Sequence, residues 1–334
     1  MSSEFSNIVE DLRIAKSLLL LTHVHPDGDG LGAMIALAQA ARAAGKTVQP
    51  MIAEWVPWRY TFLFKELGEG SYCYTDAFDA TAKLVDRIVV LDTCSRSQLG
   101  DLADKLDSLR DKTLVIDHHT TNDDIGAIRW IDTSAAAVGV MTLELLEALD
   151  WPMDGLSAVA LATAIVSDTG WLRYSNTDSR CLHAMAKLVA HGVATDELYR
   201  RIYESDRPER LRLLQRILAS LELHCGGKLA VMAIRKKDFA ETGARPDETE
   251  NFVNEAMRLA DVEVAVLLTE NPSDAAGADR IRVSLRSRAK VDVAQLAKPF
   301  GGGGHARAAG LRENTDLDDL KARLIQAAGK ALGA

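Results

Sequence analysis

The sequence predicts an α/β protein of two domains, with a parallel sheet in the first domain. The chain of 334 residues is longer than a usual single domain of about 100 to 200 residues. Its first half alternates short aliphatic runs with longer segments of helical periodicity, which is typical of βαβ units and a parallel sheet. About two thirds of the way along the chain, Gly226 and Gly227 interrupt a helical region and indicate where the second, smaller α/β domain begins.

Short apolar runs predict the strands of the first domain at residues 17–22, 47–53, 87–91 and 113–116. An alanine-rich segment between the first two strands ends at a glycine and predicts a helix at 30–45. Helical periodicity then predicts two more helices, at 138–149 and 156–165.

A charged, leucine-rich segment predicts a helical linker at 195–226, so we place the first domain at 1–194 and the second at 227–334. The second domain alternates strand and helix patterns and ends in an amphipathic helix. We predict strands at 228–234, 262–268 and 280–286, a loop at 271–279, and helices at 249–259, 291–297 and 317–332.

Composition excludes several classes of function. The net charge of −9 and the pI near 5.4 argue against a protein that binds long duplex nucleic acid, because such binding needs many clustered cations. The apolar run at 17–21 is far shorter than the roughly 20 residues that cross a bilayer. The cysteines are scattered and form no CxxC pair. We therefore expect a soluble protein of the reducing cytoplasm, without a membrane partner.

Acidic and histidine side chains follow the strands of the first domain. In an open parallel sheet, the carboxyl ends of the strands line one crevice, where ligands bind. A further carboxylate ends the apolar run before Gly170. We expect these residues to meet in the crevice: His23, Asp27, Asp29, Asp92, Asp117, His118, His119 and Asp168.

Carboxylates crowded into one crevice repel each other unless a cation lies between them. One aspartate after a strand is more often a helix cap or a turn residue. Several histidine and carboxylate groups at successive strand ends have no shared packing explanation, since ionisable groups are costly to bury unpaired. Imidazole and carboxylate without thiolate suit Mn²⁺, Fe²⁺, Co²⁺ or Mg²⁺, with zinc not excluded, and we favour manganese.

The ordered set His-x-x-Pro-Asp-x-Asp, Asp92, Asp-His-His and Asp168 resembles the DHH phosphoesterase superfamily. The C-terminal run Gly-Gly-Gly-Gly-His-Ala-Arg-Ala-Ala-Gly at 301–310 resembles the GGGHxxAAG motif of the DHHA1 domain. Together the two resemblances cover nearly the whole chain. Its size and layout resemble the NrnA-like enzymes, which degrade very short RNA (nanoRNA) and dephosphorylate 3′-phosphoadenosine 5′-phosphate (pAp).

The resemblance implies two metal ions and a role for each motif residue. It implies that Asp92 bridges the ions, that Asp117 orients a neighbouring histidine, and that His119 faces the substrate phosphate. His25 is not required by the motif. The implied ligands are His23, Asp27 and Asp92 for one ion, and Asp29, Asp92, His118 and Asp168 for the other.

The second domain is expected to bind substrate across a cleft between the domains. Alternation along the strand at 280–286 and beyond places Ser284, Arg286 and Arg288 on one face, and arginine suits phosphate. The resemblance favours binding by Ser284 and Arg286, although cations on a solvated edge strand are the alternative. The remaining candidates are the N–H groups of Gly302, Gly303 and Gly304 and the His305 side chain.

An aromatic cluster, formed by Trp55, Trp58 and Tyr60, follows the second predicted strand. These rings could stack on a base, but such residues are more often part of a core or of a dimer surface. We therefore do not assign them to the site.

The expected function is metal-dependent hydrolysis of short oligoribonucleotides and of nucleoside 3′,5′-bisphosphates such as pAp. The alternatives are a phosphodiesterase for linear or cyclic dinucleotides, such as pApA or c-di-AMP, and a nucleotide-binding sensor without turnover. All motif carboxylates and histidines are present, which favours an enzyme. The expected partners are a short RNA or nucleotide and, in a homodimer, a second copy of the chain. Cleavage polarity stays open.

Overall fold

The computed structural model describes residues 2–53, 55–68, 70–272 and 280–333. Most of the predicted loop at 271–279 therefore lies outside the described residues. The chain divides into two compact units, 1–205 and 206–334, so the helical segment predicted as a linker contributes to both units.

The first unit contains a six-stranded sheet in which all strand pairs are parallel, which confirms the predicted fold class. The strand order is β3-β2-β1-β4-β5-β6, the order of a doubly wound α/β fold. The short strands β3 and β6 were not predicted. The strands are β1 (Ser17–Leu21), β2 (Thr47–Ile52), β3 (Cys73–Tyr74), β4 (Arg87–Leu91), β5 (Thr113–Asp117) and β6 (Ile128–Ile131).

Helices cover both faces of this sheet. Leu18 and Leu20 of β1 pack into one core and Leu19 and Leu21 into another, which explains why β1 is apolar at successive positions. The helices are α1 (Ser3–Ile14), α2 (Gly28–Ala43), α3 (Thr61–Leu67), α4 (Phe78–Leu84), α5 (Arg96–Leu99), α6 (Leu102–Asp107), α7 (Val138–Leu149), α8 (Gly155–Asp168), α9 (Ser179–Ala190) and α10 (Thr195–Tyr203).

Helices α2 and α8 approach closely because small residues face each other. A methyl group on Gly32 would lie 2.3 Å from the carbonyl oxygen of Ala160, so a larger side chain would push the helices apart. This contact matters for the candidate site, since Asp29 lies in the first turn of α2 and Asp168 is the last residue of α8.

The second unit contains a mixed sheet in the order β11-β12-β10-β9-β8-β7, in which β8 and β9 are parallel and the other pairs antiparallel. Its strands are β7 (Glu222–His224), β8 (Leu229–Ile234), β9 (Val264–Glu270), β10 (Ile281–Ser287), β11 (Gly303–His305) and β12 (Ala308–Glu313). Its helices are α11 (Pro208–Ala219), α12 (Lys236–Thr242), α13 (Val253–Ala256), α14 (Val293–Ala297) and α15 (Leu317–Leu332).

The two faces of this sheet are covered differently. Helices α14 and α15 pack on one face, against residues such as Val283, Leu285 and Leu311. On the other face, α11, α12 and α13 pack against β8 and β9 through residues such as Met232 and Leu267. On that second face, β10, β11 and β12 carry exposed or half-buried side chains.

One prediction for the second unit was wrong, and one alternative is excluded. The helix predicted at 249–259 is reduced to α13, because Asn251 has a left-handed backbone (φ +66°) that an α-helix does not tolerate. The strand β10 is not an edge strand, since it pairs with β9 on one side and β12 on the other. Protection of a sheet edge therefore does not explain the cations on β10.

Candidate metal centre

The candidate site lies where β1 and β4 are neighbours and the strand order reverses, the position at which ligands bind in this class of sheet. His23 follows β1 and Asp92 follows β4. Asp117 is the last residue of β5. Residues from distant parts of the sequence therefore meet at the carboxyl ends of three adjacent strands.

The structure brings the six predicted metal ligands, together with His119, into three overlapping groups. In each group, one ligand atom from every residue lies within 4.8 Å of the others. Asp92 and His118 each belong to two groups. The groups are His23, Asp27 and Asp92; Asp29, His118 and Asp168; and Asp92, His118 and His119.

Asp27 is the N-cap of α2 and accepts hydrogen bonds from the N–H groups of Asp29 (3.0 Å) and Gly30 (3.2 Å). Its Oδ1 atom is 3.7 Å from Nε2 of His23. Burial opposes ionisation, but His23 and the backbone donors outweigh it and lower the pKa of Asp27 to about 2. The capping role fixes this carboxylate at the edge of the cluster.

Asp29 is fully buried and accepts hydrogen bonds from the N–H groups of Val138 (2.7 Å) and Gly139 (2.8 Å). These donors belong to the first turn of α7, so Asp29 caps that helix from a neighbouring one, where the helix dipole favours an anion. Burial and the charges of Asp92 and Asp168 raise its pKa well above the usual value.

Asp92 is 2% exposed and has a left-handed backbone with φ of +66°. For a residue with a side chain this conformation costs about 1 kcal/mol, and such strain is concentrated at functional sites. Burial and the charges of Asp27 and Asp168 outweigh His23 and raise the pKa of Asp92 to about 6. Its Oδ1 atom is buried and has no hydrogen-bond partner among the described residues.

His118 directs Nε2 into the cluster because its other ring nitrogen, Nδ1, lies 3.0 Å from the carbonyl oxygen of Ala135. That contact requires Nδ1 to carry the proton, which leaves a lone pair on Nε2 in the neutral ring. Nε2 lies 3.3 Å from Asp168, 3.7 Å from Asp92 and 3.8 Å from Asp29. Burial lowers the pKa of His118, but these carboxylates outweigh burial and raise it to about 11.

Asp117 orients the second histidine of the motif. Its Oδ1 atom accepts hydrogen bonds from the backbone N–H groups of His118 (2.8 Å) and His119 (3.2 Å), and lies 2.7 Å from Nδ1 of His119. Burial opposes protonation of His119, but Asp117 outweighs burial and raises the pKa of that ring. The predicted contact between Asp117 and a neighbouring histidine is therefore present.

Asp168 ends α8, where the helix dipole disfavours an anion, so this position costs stability unless a cation lies nearby. The chain continues through Gly170, Trp171 and Leu172, all of which have left-handed backbones (φ +54°, +62° and +62°). Asn176 donates one amide to the carbonyl oxygens of Asp168 (3.2 Å) and Ala136 (3.0 Å), which ties the strained segment together.

A divalent cation fits this donor set. Oδ1 of Asp92 and Nε2 of His118 are buried, lack hydrogen-bond partners among the described residues, and lie 3.7 Å apart. Unpartnered buried polar atoms are costly, and metal coordination would satisfy both. The carboxylates also repel one another, as the raised pKa values of Asp29 and Asp92 indicate. The described residues can therefore hold metal ions.

Several groups that lie beside the site or hold its residues were missed in the sequence. Thr22 is 2% exposed, lies beside His23, and has a hydroxyl oxygen without a hydrogen-bond partner among the described residues. The carbonyl of Ala135 and the N–H groups of Val138 and Gly139 act through the backbone. No sequence pattern identifies backbone contacts, although the position of Thr22 next to His23 was a usable signal.

The aromatic cluster separates into different environments. Tyr60 is 4% exposed, and its hydroxyl lies 3.2 Å from Oγ of Ser167, the neighbour of Asp168. Trp58 stacks on the guanidinium of Arg59 at 4.7 Å, and Trp55 is 54% exposed. Tyr60 therefore supports the α8 end of the site from the core.

In the second unit, four of the six predicted substrate-binding residues share one sheet face: Ser284, Arg286, Gly303 and His305. Arg286 pairs with Ala308 of β12, and Ala308 pairs with His305 of β11. Ser284 pairs with Gly310, which in turn pairs with Gly303. This face is the one that α11, α12 and α13 leave uncovered at β10, β11 and β12.

The glycines of the DHHA1-like motif lie in different local environments. A methyl group on Gly302 would lie 2.4 Å from the carbonyl oxygen of Gly310, and Gly302 donates its N–H to Ala297 (3.1 Å). Gly304 has φ of +136°, where side chains are strained. Gly303 has open space around it. Gly302 thus supports the turn, and the outer surface of the motif is formed by Gly303 and His305.

Two sequence profiles match the chain: residues 17–193 match the DHH family, N-terminal domain, and residues 226–330 match the DHHA1 domain. The chain belongs to the DHH family. The first match contains every residue of the candidate metal centre, and the second contains the uncovered sheet face with Arg286 and His305.

Relatives align with this DHH family chain over most of their lengths. The bifunctional oligoribonuclease and PAP phosphatase NrnA of Thermus thermophilus is 30% identical over 94% of this chain and 90% of its own. The protein of the same name from Bacillus subtilis is 25% identical over 91% and 92% of the two chains. An exopolyphosphatase-related protein from Bacteroides fragilis has the same fold, with a TM-score of 0.90, 20% identity, and coverage of 99% and 98%.

None of the helices in the described part of this DHH family chain is long and apolar enough to span a membrane.

Proposed function

We propose that this protein is a metal-dependent phosphoesterase that hydrolyses short oligoribonucleotides and nucleoside 3′,5′-bisphosphates such as pAp. The relatives that align over nearly the full chain are named as oligoribonucleases and PAP phosphatases. The present chain matches the DHH and DHHA1 domain models over residues 17–193 and 226–330. The proposed cofactor is a pair of divalent ions, preferably Mn²⁺, because the donors are carboxylates and imidazoles.

One observation carries the proposal: the three groups of candidate ligands overlap at Asp92 and His118. A structural ion needs one closed set of ligands, whereas overlapping sets that share a carboxylate suit two ions side by side. We propose that His23 and Asp27 hold one ion, that Asp29, His118 and Asp168 hold the other, and that Asp92 contacts both. Each oxygen of Asp92 already lies nearest a different group, with Oδ2 near His23 and Oδ1 near His118.

When bound, the ions would supply a water of lowered pKa and neutralise negative charge on the phosphoryl oxygens. The contribution of the protein is to hold the side chains of the site in position. The backbone N–H groups of α7 hold Asp29, and the carbonyl of Ala135 holds His118 in the tautomer that presents Nε2. Asp117 holds Nδ1 of His119, which leaves Nε2 of that ring to act toward a substrate phosphate.

We propose that the second domain binds the substrate through Ser284, Arg286, His305 and the backbone around Gly303. Arginine forms paired hydrogen bonds to phosphate, and glycine permits close approach of a ligand to the backbone. The contact of one substrate with both domains stays a prediction. A homodimer and a cytoplasmic location also stay predictions.

The test is a substrate panel with purified protein and Mn²⁺: pAp, diribonucleotides, pentaribonucleotides, pApA and c-di-AMP. We expect release of phosphate from pAp and of mononucleotides from the RNAs, with both activities abolished by EDTA. A preference for pApA or c-di-AMP would show that dinucleotides, and not short RNAs and pAp, are the main substrates. Nucleotide binding without hydrolysis of any of these compounds, at full metal occupancy, would contradict the assignment as an enzyme.

A further inference from the structure

A buried hydroxyl group lies beside the candidate metal centre. Thr22 directly follows β1 and precedes His23. It is 2% exposed, and its Oγ1 atom has no hydrogen-bond partner among the described residues. Burial of a hydroxyl without a hydrogen bond is unfavourable. Valine has nearly the same shape and would avoid that cost, so the hydroxyl of Thr22 needs an explanation.

The surroundings of Gly30 show where this hydroxyl lies. A methyl group added to Gly30 would lie 2.2 Å from Oγ1 of Thr22 and 3.2 Å from Oδ2 of Asp92. The hydroxyl and the carboxylate are therefore neighbours at the first turn of α2. Gly30 does not have a left-handed backbone, so conformational freedom does not explain this glycine. A side chain at position 30 would instead fill the space beside the two oxygen atoms.

The carboxylate of Asp92 is held less completely than two other carboxylates of the centre. Backbone N–H groups hold the carboxylates of Asp27 and Asp29. The backbone of Asp92 is fixed, because its N–H donates to the carbonyl oxygen of Ile116 at 3.0 Å. Its Oδ1 atom, however, has no hydrogen-bond partner among the residues that the structure describes. Carboxylates that coordinate metals are usually hydrogen-bonded in turn by a neighbouring group, and Thr22 is placed to supply that group.

We propose that Thr22 is a positioning residue of the metal centre, whose hydroxyl donates a hydrogen bond to the carboxylate of Asp92 when that carboxylate coordinates metal. The hydrogen bond restricts rotation of the carboxylate, so that Oδ1 stays directed toward His118 and Oδ2 toward His23. Thr22 thereby raises the affinity for metal without touching the substrate. This role rests on the part of the proposed function in which Asp92 contacts metal, and metal binding can be measured without turnover.

The alternative is that Thr22 only fills space at the end of β1. Two substitutions separate this alternative from the proposed role. Thr22→Val keeps nearly the same shape and removes the hydroxyl, whereas Thr22→Ser keeps the hydroxyl and removes the methyl group. A space-filling role predicts that serine is the worse replacement, and the proposed role predicts that valine is.

The test is a Mn²⁺ titration of EDTA-treated protein by isothermal titration calorimetry. Loss of a hydrogen bond to a metal ligand typically weakens metal binding by about 10- to 100-fold. We therefore expect Thr22→Val to raise the dissociation constant for Mn²⁺ by about tenfold or more, and Thr22→Ser to restore binding to nearly that of the wild type. With saturating Mn²⁺, pAp hydrolysis by Thr22→Val should show a lower kcat with an unchanged KM, because Thr22 does not touch the substrate.

Thermal stability provides a readout of the opposite sign. In EDTA, Thr22→Val should have a thermal midpoint equal to or above that of the wild type, because the variant buries no unpartnered hydroxyl. The rise of the midpoint on addition of Mn²⁺ should be smaller in the variant, since weaker binding stabilises the folded state less.

Thr142→Val is the matched control. Thr142 is also buried, and its hydroxyl likewise has no hydrogen-bond partner among the described residues. It lies within α7 and not at the end of a strand. Thr142→Val should therefore bind Mn²⁺ as the wild type does.

The role of Thr22 and the proposed function fail in different ways. An unchanged dissociation constant in Thr22→Val, or an equal loss in Thr22→Ser, would overturn the role of the hydroxyl. If the wild-type protein binds Mn²⁺ but hydrolyses neither pAp nor short RNA, the proposed function is wrong, and the dissociation constants still decide the role of Thr22. If the wild-type protein binds no Mn²⁺, the metal centre and the role of Thr22 are both wrong.

Discussion

The two units of this chain place polar groups on a sheet in different ways. In the first unit, charged residues lie at the carboxyl ends of buried strands, where Asp29 and Asp92 are 0% and 2% exposed. In the second unit, Arg282 and Arg286 lie on the open face of an interior strand. Buried acids repel each other and suit bound cations, whereas exposed or half-buried arginines on a sheet face suit a phosphate ligand that binds and dissociates.

The difference indicates which substitutions should affect chemistry and which should affect binding. Changes in the first unit should alter metal content and kcat together. Changes on the open face of the second unit should alter KM and leave the metal content intact. The four substitutions that follow are arranged from the largest expected effect to the smallest.

Asp92→Asn should produce the largest loss, because this residue belongs to two of the three candidate ligand groups. Kinetic assays with Mn²⁺ should show kcat reduced by roughly 10³-fold or more, a barrier increase of about 4 kcal/mol. The thermal midpoint in EDTA should be equal to or above that of the wild type, since the substitution removes one of several mutually repelling charges. Asp101→Asn, at an exposed position of the same unit, is the control. Activity within about tenfold of wild type would contradict the proposal that Asp92 contacts both ions.

Gly32→Ala should separate α2 from α8, because the added methyl group would lie 2.3 Å from the carbonyl oxygen of Ala160. Overpacking of this kind costs about 1 to 3 kcal/mol in the free energy of unfolding. It should also displace Asp29 from Asp168, so metal content should fall with stability. Gly155→Ala is the matched control, since nothing lies within 4 Å of its added methyl group. Equal denaturation midpoints for both variants would contradict this packing account.

Arg286→Ala should raise KM about tenfold while elemental analysis finds unchanged metal content. Arg286 lies in the second unit, whereas every candidate metal ligand lies in the first. Loss of metal in this variant would contradict the separation of roles between the units. His305→Ala should behave in the same way.

Glu263→Gln should have the smallest effect, a loss of about 1 kcal/mol in the free energy of unfolding. Oε1 of Glu263 accepts hydrogen bonds from the N–H groups of Ala289 (2.9 Å) and Val291 (3.2 Å), and from Lys290 between them. Burial favours the neutral acid, but these donors outweigh it and lower the pKa of Glu263.

The pH dependence of this effect has a definite sign. A lowered pKa in the folded state stabilises the protein above the unfolded pKa of about 4.3, and the stabilisation disappears as the pH falls through the folded value. Urea denaturation at several pH values should therefore show a difference between wild type and Glu263→Gln at neutral pH that decreases in acid. A difference independent of pH would show that the charge of Glu263 is not what stabilises the loop.

The sequence predicts most of the first unit because its signals are local. β1, β4 and β5 are apolar at successive positions since they are buried on both faces, and the acidic residues follow them directly. The gathering of His23, Asp92 and His118 follows from a general property of parallel sheets. The role of Ala135 as hydrogen-bond acceptor for His118 could not be predicted, because Ala135 acts through its backbone carbonyl, a group that every residue has.

The second unit was less predictable because its signals depend on partners. β11 contains two glycines in three residues, and only pairing with β12 makes it a strand. The left-handed conformation of Asn251 ends a helical pattern that extends through 249–259. Arg282 and Arg312 become neighbours only through strand register, so neither attracts attention in the sequence.

The most direct test of the account is the number of divalent ions bound by each chain, measured together with activity. Protein treated with EDTA and then supplied with Mn²⁺ is analysed for metal, for pAp hydrolysis and for pentaribonucleotide hydrolysis. The overlapping ligand groups around Asp92 predict two ions for each chain, no activity in the metal-free protein, and recovery of both activities with the second ion. Full activity in metal-free protein, or with one ion bound, would contradict the central claim.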